Sequence, residues 1–210
     1  MNFIKNLRLA FLRLFREFRE LEAQATTDSL TGLLNRRGAL TQLRLLLGQS
    51  ARQSKQPRDL TTFVIDLDNF KLVNDQFGHE AGDQVLRFVA EVLRRTFRSN
   101  DILVRPGGDE FIVYLIEAGR QGAIARARKL IQGLDEAPEL QFGPITVTAS
   151  IGVSHGIFRS REGGLQIAAK MVELADQAMY EAKQTPEGMS GLVEAPDAVF
   201  SDTHQSSTTE

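Results

Sequence analysis

The chain has 210 residues, 42% hydrophobic and 25% charged, with a net charge of −2. That is the make-up of a globular domain with appendages, and the near balance of charge gives no field to hold nucleic acid. No apolar run approaches the ~18–20 residues of a membrane span, and the lack of cysteine excludes disulfides and thiolate metal sites and fits a reducing, cytoplasmic setting.

The first element is helical. Ile4, Leu7, Phe11, Leu14, Phe18, Leu21 and Ala25 step alternately by three and four residues, an a/d seam of about three heptads. Nothing adjacent in sequence covers so long a stripe, so a second copy of the chain is the favoured partner. Packing on the chain's own domain is one alternative. Membrane contact, with Lys5, Arg8 and Arg13 facing lipid headgroups, is another but not the favoured one. Arg8 and Arg13 also break the uninterrupted apolar stretch that a signal peptide needs.

Thr26–Asp28 offers a helix stop or a new N-cap before "DSLTGLLNRRGALTQLRLLL". The polar loop "RQSKQPRDL" leads to "TTFVIDLD", a β-branched run that closes on acids. After a glycine-bearing loop, Val85, Leu86, Val89, Ala90, Leu93 and Phe97 have helical spacing. Ile102–Val104 and Phe111–Ile116 flank Gly107-Gly108 as a hairpin. Residues 121–136 form a helix. Ile145, Val147, Ala149, Ile151 and Val153 alternate as a strand with Thr146 and Thr148 facing away from the core. Leu165, Ala168, Val172, Ala175, Met179 and Ala182 mark the last helix. The tail 187–210 is acidic and polar and is expected to be disordered, at least beyond Asp197. The expected units are therefore a stalk helix over 1–27, a catalytic domain over 28–186 and the tail.

From residue 60 the order is strand, helix, strand, strand, helix, strand, helix. This is an α+β fold with a ferredoxin-like βαββαβ core: a central antiparallel sheet flanked by helices. Crossover handedness sets the first strand beside the central hairpin. Asp66 and Asp68 then lie near Asp109 and Glu110. Four crowded carboxylates repel one another unless a cation joins them, and hard divalent ions prefer oxygen ligands. Asp66 and Asp109 are the natural pair. Gly107 and Gly108 leave room for a triphosphate to approach the backbone. Lys71 can meet phosphate as a point charge. Asn74 and Asp83 can read a base edge, though Asp83 also suits a helix N-cap. Arg98 and Asp101 suit a helix end followed by a turn. His79 reads as structural, His155 and His204 have no metal-ligand spacing, and Arg36 and Arg37 read as local salt-bridge partners.

Five motifs in order, "DSLTGLLNRR" (28–37), "DLDNFKLVNDQFGHEAGDQVL" (66–86), "RPGGDEF" (105–111), "TVTASIGVS" (146–154) and "ADQAMYEAK" (175–183), resemble the GGDEF family of diguanylate cyclases. The resemblance implies a nucleotidyl-cyclase or palm-like domain that condenses two GTP into cyclic di-GMP with release of two pyrophosphates. It implies that Asp66, the Leu67 carbonyl and Asp109 hold Mg²⁺ (or Mn²⁺), with Glu110 joining the metal shell or deprotonating the 3′-hydroxyl. It further implies that Asn74 and Asp83 bind guanine, that the Phe70 backbone, Lys71 and Lys183 contact phosphates, and that Arg98 and Asp101 form an inhibitory site for the product. One half-site holds one GTP, so the seam at 4–25 is interpretable as a homodimer contact. A non-catalytic GTP- or cyclic-di-GMP-binding module is the alternative from another class, and a polymerase-like palm is a third. Two departures stand out. Pro106 precedes the glycines, and "QTPEGMSGL" replaces the Gly-Arg-Asn segment that usually follows the position of Lys183, with Glu187 near where its arginine falls.

Overall fold

A computed structural model describes residues 25–53, 58–136, 145–158, 164–184, 186 and 190–200, with backbone alone at 48–53. The seam at residues 4–24 lies outside them, as do 187–189 and the end of the tail.

In chain order the elements are α1 (Arg36–Gln53), β1 (Arg58–Leu67), α2 (Phe70–Phe77), α3 (His79–Thr96), β2 (Ile102–Gly107), β3 (Glu110–Ile116), α4 (Arg120–Asp135), β4 (Ala149–Phe158), α5 (Gly164–Ala182), β5 (Gly191–Glu194) and β6 (Ala198–Phe200). The sheet runs β2-β3-β1-β4-β5, with β6 also on β4. The β2-β3-β1-β4 part is antiparallel throughout, as a ferredoxin-like core requires. β5 and β6 join β4 in parallel, which makes the whole sheet mixed.

Helices cover both faces of β1. Phe63, Ile65 and Leu67 pack with Val85, Val89 and Leu130 of the α3/α4 layer. Leu60 packs with Leu43 of α1 and Met171 of α5, and Val64 packs with Ala175 and Met179 of α5. A strand buried on both faces reads as a continuous apolar run, which is why "TTFVIDL" shows little alternation.

Several expectations need correction. The strand expected from Ile145 starts at Ala149, and Thr148 is buried rather than outward. Both faces of β4 are covered, and its buried Ser154 turns its hydroxyl to backbone, the Oγ donating to the Met171 carbonyl at 2.7 Å. Nor is the tail disordered over residues 190–200. Residues 191–194 and 198–200 form strands because β4 offers an unpaired backbone edge that they fill. Arg120 pins them through Glu194 and Asp197, at 3.1 and 2.8 Å. Finally, of the two readings of Thr26–Asp28 the helix stop holds, since the helical residues end at Thr26, and no helix starts there to run through the opening motif. Gly32 sits at φ +67°, and α1 begins after Asn35, whose Oδ1 accepts from the Gly38 amide at 3.0 Å as an N-cap does. Among the described residues no helix is long and apolar enough to cross a membrane.

Candidate functional site at the end of the central strands

β1 carries Asp66 to the end of the sheet. There it pairs with Glu110 of β3 on one side and Ser150 of β4 on the other. Directly opposed residues project on one face, so Asp66 and Glu110 share the α1/α5 side. Asp109 lies in the tight turn between β2 and β3, and its carbonyl accepts the Leu67 amide at 3.3 Å. That bond latches the turn to the end of β1. Gly108 holds φ +60°, a conformation costly for any residue with a Cβ. Pro106 sits at a register irregularity between Val104 and Gly107. A missing ladder N–H is tolerated at such a bulge.

The Asp66 side chain is only 18% exposed, and its Oδ1 lies 3.1 Å from the Lys183 ammonium. Burial raises the Asp66 carboxyl above its ordinary range. Lys183 opposes that rise, and the charges of Asp109 and Asp68 add to it. Asp68 is held by β4: its Oδ1 accepts from the Ser150 hydroxyl at 2.7 Å, and its amide donates to the Thr148 carbonyl at 3.0 Å. The oxygen groups at this end include Asp66, already paired with Lys183, together with Asp109, Glu110 and the Leu67 carbonyl, and oxygen donors suit a divalent cation of the Mg²⁺ type. Among the described residues, no three His, Cys, Asp or Glu side chains are grouped so as to hold a metal ion by themselves. A cation here would complete its shell with water and substrate phosphates, as Mg²⁺ usually does.

The segment between β1 and α3 was expected to be a loop, yet it contains α2. Asn69 enters α2 at φ +55°, and Gly78 ends it. Asn74 and Asp83 thus sit on two helices that meet at Gly78. A Cβ on Gly82 would come within 2.1 Å of the Asn74 Oδ1, so only glycine lets the amide rest there, one residue from Asp83. This sets the Asn74 amide against the residue next to Asp83. Asp83 is not an N-cap. It lies within the first turns of α3, whose cap is Gly78, and sits 3.7 Å from Arg87. Phe70 opens α2, and Lys71 beside it is exposed, with no ion pair among the described residues.

Arg98 and Asp101 lie beyond the end of α3, apart from these groups. They close a turn on each other: the Arg98 amide donates to the Asp101 carboxylate at 2.7 Å, and the Asp101 amide donates to the Arg98 carbonyl at 3.0 Å. The Arg98 side chain is exposed.

Sequence reasoning gave no role to Arg105 and only a place in a helix stop or cap to Asp28, although each lies in a quoted motif. The Arg105 Nη1 donates to both Asp28 carboxylate oxygens at 2.9 and 3.1 Å. Its Nε and Nη2 donate to the Gly108 carbonyl at 3.0 and 2.7 Å. Asp28 also accepts from the Thr31 amide at 2.9 Å and the Thr31 hydroxyl at 2.5 Å, and Arg94 donates to the Thr31 carbonyl. One guanidinium therefore ties the opening turn to the glycine turn that carries Asp109 and Glu110.

An antiparallel ferredoxin-like core with acids gathered where its central strands end defines an α+β domain of the nucleotidyl-cyclase type. The profile of the family described as "Diguanylate cyclase, GGDEF domain" matches residues 25–189, and the chain belongs to that family. Diguanylate cyclase DgcP of Pseudomonas aeruginosa is 40% identical over 165 residues, covering 77% of this chain and 23% of that one. Diguanylate cyclase A of Treponema denticola is 37% identical over 166 residues, covering 79% and 43%. The chain spans less than half the length of these relatives. The structure of the coiled coil and GGDEF domain of DgcB from Caulobacter crescentus, in complex with c-di-GMP, superposes with a TM-score of 0.76 at 24% identity. It covers 91% of this chain and 97% of that one and so shares the fold.

Proposed function

We propose that this chain is a diguanylate cyclase that joins two GTP molecules into cyclic di-GMP. The observation that carries the reading is the half-buried Asp66 carboxylate, flanked by Glu110 and the glycine turn of Asp109 and met by Lys183 at 3.1 Å. Asp66, Asp109 and the Leu67 carbonyl would hold Mg²⁺, with Mn²⁺ as a substitute. Such an ion supplies a countercharge for the α-phosphate and lowers the pKa of a bound hydroxyl.

The chain's own groups do the positioning. Asn74 and Asp83 face the guanine edge, an amide offering both donor and acceptor and a carboxylate accepting from N–H. Lys71, Lys183 and the Phe70 backbone hold phosphates, while Gly107 and Gly108 keep the approach clear. Glu110 joins the metal shell or takes the proton of the 3′-hydroxyl. That oxygen forms a bond to the α-phosphorus of the facing nucleotide, and pyrophosphate leaves. Holding the reactants in line supplies most of the rest.

Incubation with GTP and Mg²⁺ should give a product with the mass of cyclic di-GMP and two equivalents of pyrophosphate. Binding without turnover would support the non-catalytic module instead, and a different product would point to another cyclase or a polymerase-like palm. We place the activity in the cytoplasm, where GTP is supplied.

Two half-sites must face each other, and the seam at 4–25 would pair two chains and raise their local concentration. The double variant Leu14→Asp, Phe18→Asp should therefore lose most of its specific activity at low enzyme concentration and regain it as concentration rises. Activity that does not depend on concentration in this variant would reject the seam as the dimer contact.

Feedback by the product is assigned to Arg98 and Asp101. Arg98→Ala should weaken inhibition by cyclic di-GMP roughly tenfold or more, the worth of a charge-assisted contact to phosphate. The initial rate should stay close to that of the parent, because the exposed Arg98 side chain supports nothing else. An unchanged inhibition constant would remove the assignment.

A further inference from the structure

The side of the sheet that carries α1 and α5 contains a cleft of about 460 Å³. Its walls include Leu43 of α1 with Ala168 and Val172 of α5, and its floor includes Val64, Ile112 and Tyr114. Guanine and phosphate contacts use none of these residues. At the mouth stand Glu110 and Asp176, with Arg36 beside them.

The floor is not purely apolar. Tyr114 is 7% exposed, and its hydroxyl makes no hydrogen bond among the described residues. A buried tyrosine hydroxyl usually finds a partner. Burial alone pushes the phenol up to about 12, so it stays protonated and donates. Tyr114 lines the cleft, and its hydroxyl, with no partner among the described residues, is a place where a ligand's acceptor would be rewarded. At the mouth two carboxylates outnumber one guanidinium, which favours a cation over an anion.

We propose that this cleft is a binding site for a small aromatic amine, its ring between α1 and α5, a ring acceptor on the Tyr114 hydroxyl and its ammonium beside Glu110 and Asp176. The volume suits a ligand of one or two fused rings, since small-molecule sites begin at about 300 Å³. On the cyclase reading, an ammonium at Glu110 competes with the divalent cation and slows turnover. Binding itself does not depend on that reading.

The probe is 5-methoxytryptamine, which carries a fused ring, an ether acceptor and an ammonium. Saturation-transfer NMR and calorimetry on the full chain without nucleotide should give a dissociation constant of about 1 mM or tighter. Tyr114→Phe removes one hydroxyl and should weaken binding roughly tenfold. Ala169→Phe places a ring in the cleft from an exposed position of its lining and should abolish binding. The matched acid, 5-methoxyindole-3-acetic acid, should bind at least about tenfold more weakly than the amine. Three results would overturn the proposal: no binding at about 10 mM probe, equal binding of the amine and the acid, or binding indifferent to both variants. Self-association that Ala169→Phe abolishes would also overturn it, by giving the cleft to a second copy of the chain. Because binding is read directly, a chain without cyclase activity still tests it.

Discussion

Asp66→Asn should lower the conversion of GTP to cyclic di-GMP by at least about a thousandfold. A cation's share in stabilising transition-state charge is several kcal/mol, and each ~1.4 kcal/mol is a factor of ten. The fold should not suffer with it. Burial holds the Asp66 carboxyl above its ordinary value of 3.8. An acid whose pKa rises on folding contributes stability at low pH, and that contribution fades as pH climbs through the folded value. At neutral pH the ionised carboxylate is therefore a mild burden on the fold. Asparagine keeps the shape and removes the charge, so its melting temperature should equal or exceed that of the parent. Lys183 loses its partner, but at 39% exposure it is hydrated easily. The separation of the two effects is the point: a residue kept for catalysis at the expense of stability behaves this way, and a structural ion pair does not. A variant that melts earlier and keeps more than a tenth of its activity would place Asp66 among the structural residues.

Elements with a strong period, or with an apolar run closed by acids, were legible. The α5 stripe of Ala168, Val172, Ala175 and Met179 and the β2–β3 hairpin around Gly107-Gly108 stand where spacing alone puts them. α2 was not legible, because none of its residues is fully buried and a helix of two turns that sets only Phe70 and Val73 against the core leaves too short a periodic signal. Nor were β5 and β6. Gly191–Glu194 and Ala198–Phe200 are too short to show alternation, and backbone bonds to β4 hold them. Asp83 offered two readings, and only the start of α3 at His79 rejects the cap. The nearness of Asp66 and Asp109 followed from topology, since it needs only the first strand beside the hairpin. The contact of Lys183 with Asp66 spans most of the domain, and no local rule reaches it. For the same reason the Asp28–Arg105 pair, 77 residues apart, stayed hidden although both halves lie in motifs that are legible by themselves.

That hidden pair should produce the largest loss of stability of any single change discussed for this domain. Arg105 is 10% exposed at its side chain and Asp28 19%, so water does little to screen them. Arg105→Ala strands the Asp28 carboxylate and the Gly108 carbonyl together, and should cost about 3 kcal/mol, the low end for breaking a buried charged pair. Lysine should rescue little, because a single ammonium cannot span a carboxylate and a carbonyl as a fork does. Asp28→Asn should cost about 2 kcal/mol, the scale of a hydrogen bond to a charged group. Because both changes cut one connection, the double variant should lie within about 1 kcal/mol of Arg105→Ala alone; strict additivity in denaturant unfolding would mean that the two act separately. The pH dependence supplies an independent reading. Burial raises the Asp28 carboxyl, but the bonds from Thr31 and Arg105 outweigh it and leave the group below its ordinary 3.8. A carboxyl lowered by folding contributes its stability above the unfolded value and loses it as pH falls through the folded one. The advantage of the parent over Asp28→Asn should therefore be complete at neutral pH and shrink below about pH 3.8. Turnover should fall further than the lost stability explains in Arg105→Ala, measured well below its melting temperature, since the Gly108 carbonyl that Arg105 holds belongs to the turn that aims Asp109 and Glu110. If turnover at that temperature matched the parent, the latch would be a fastening for the opening turn and nothing more.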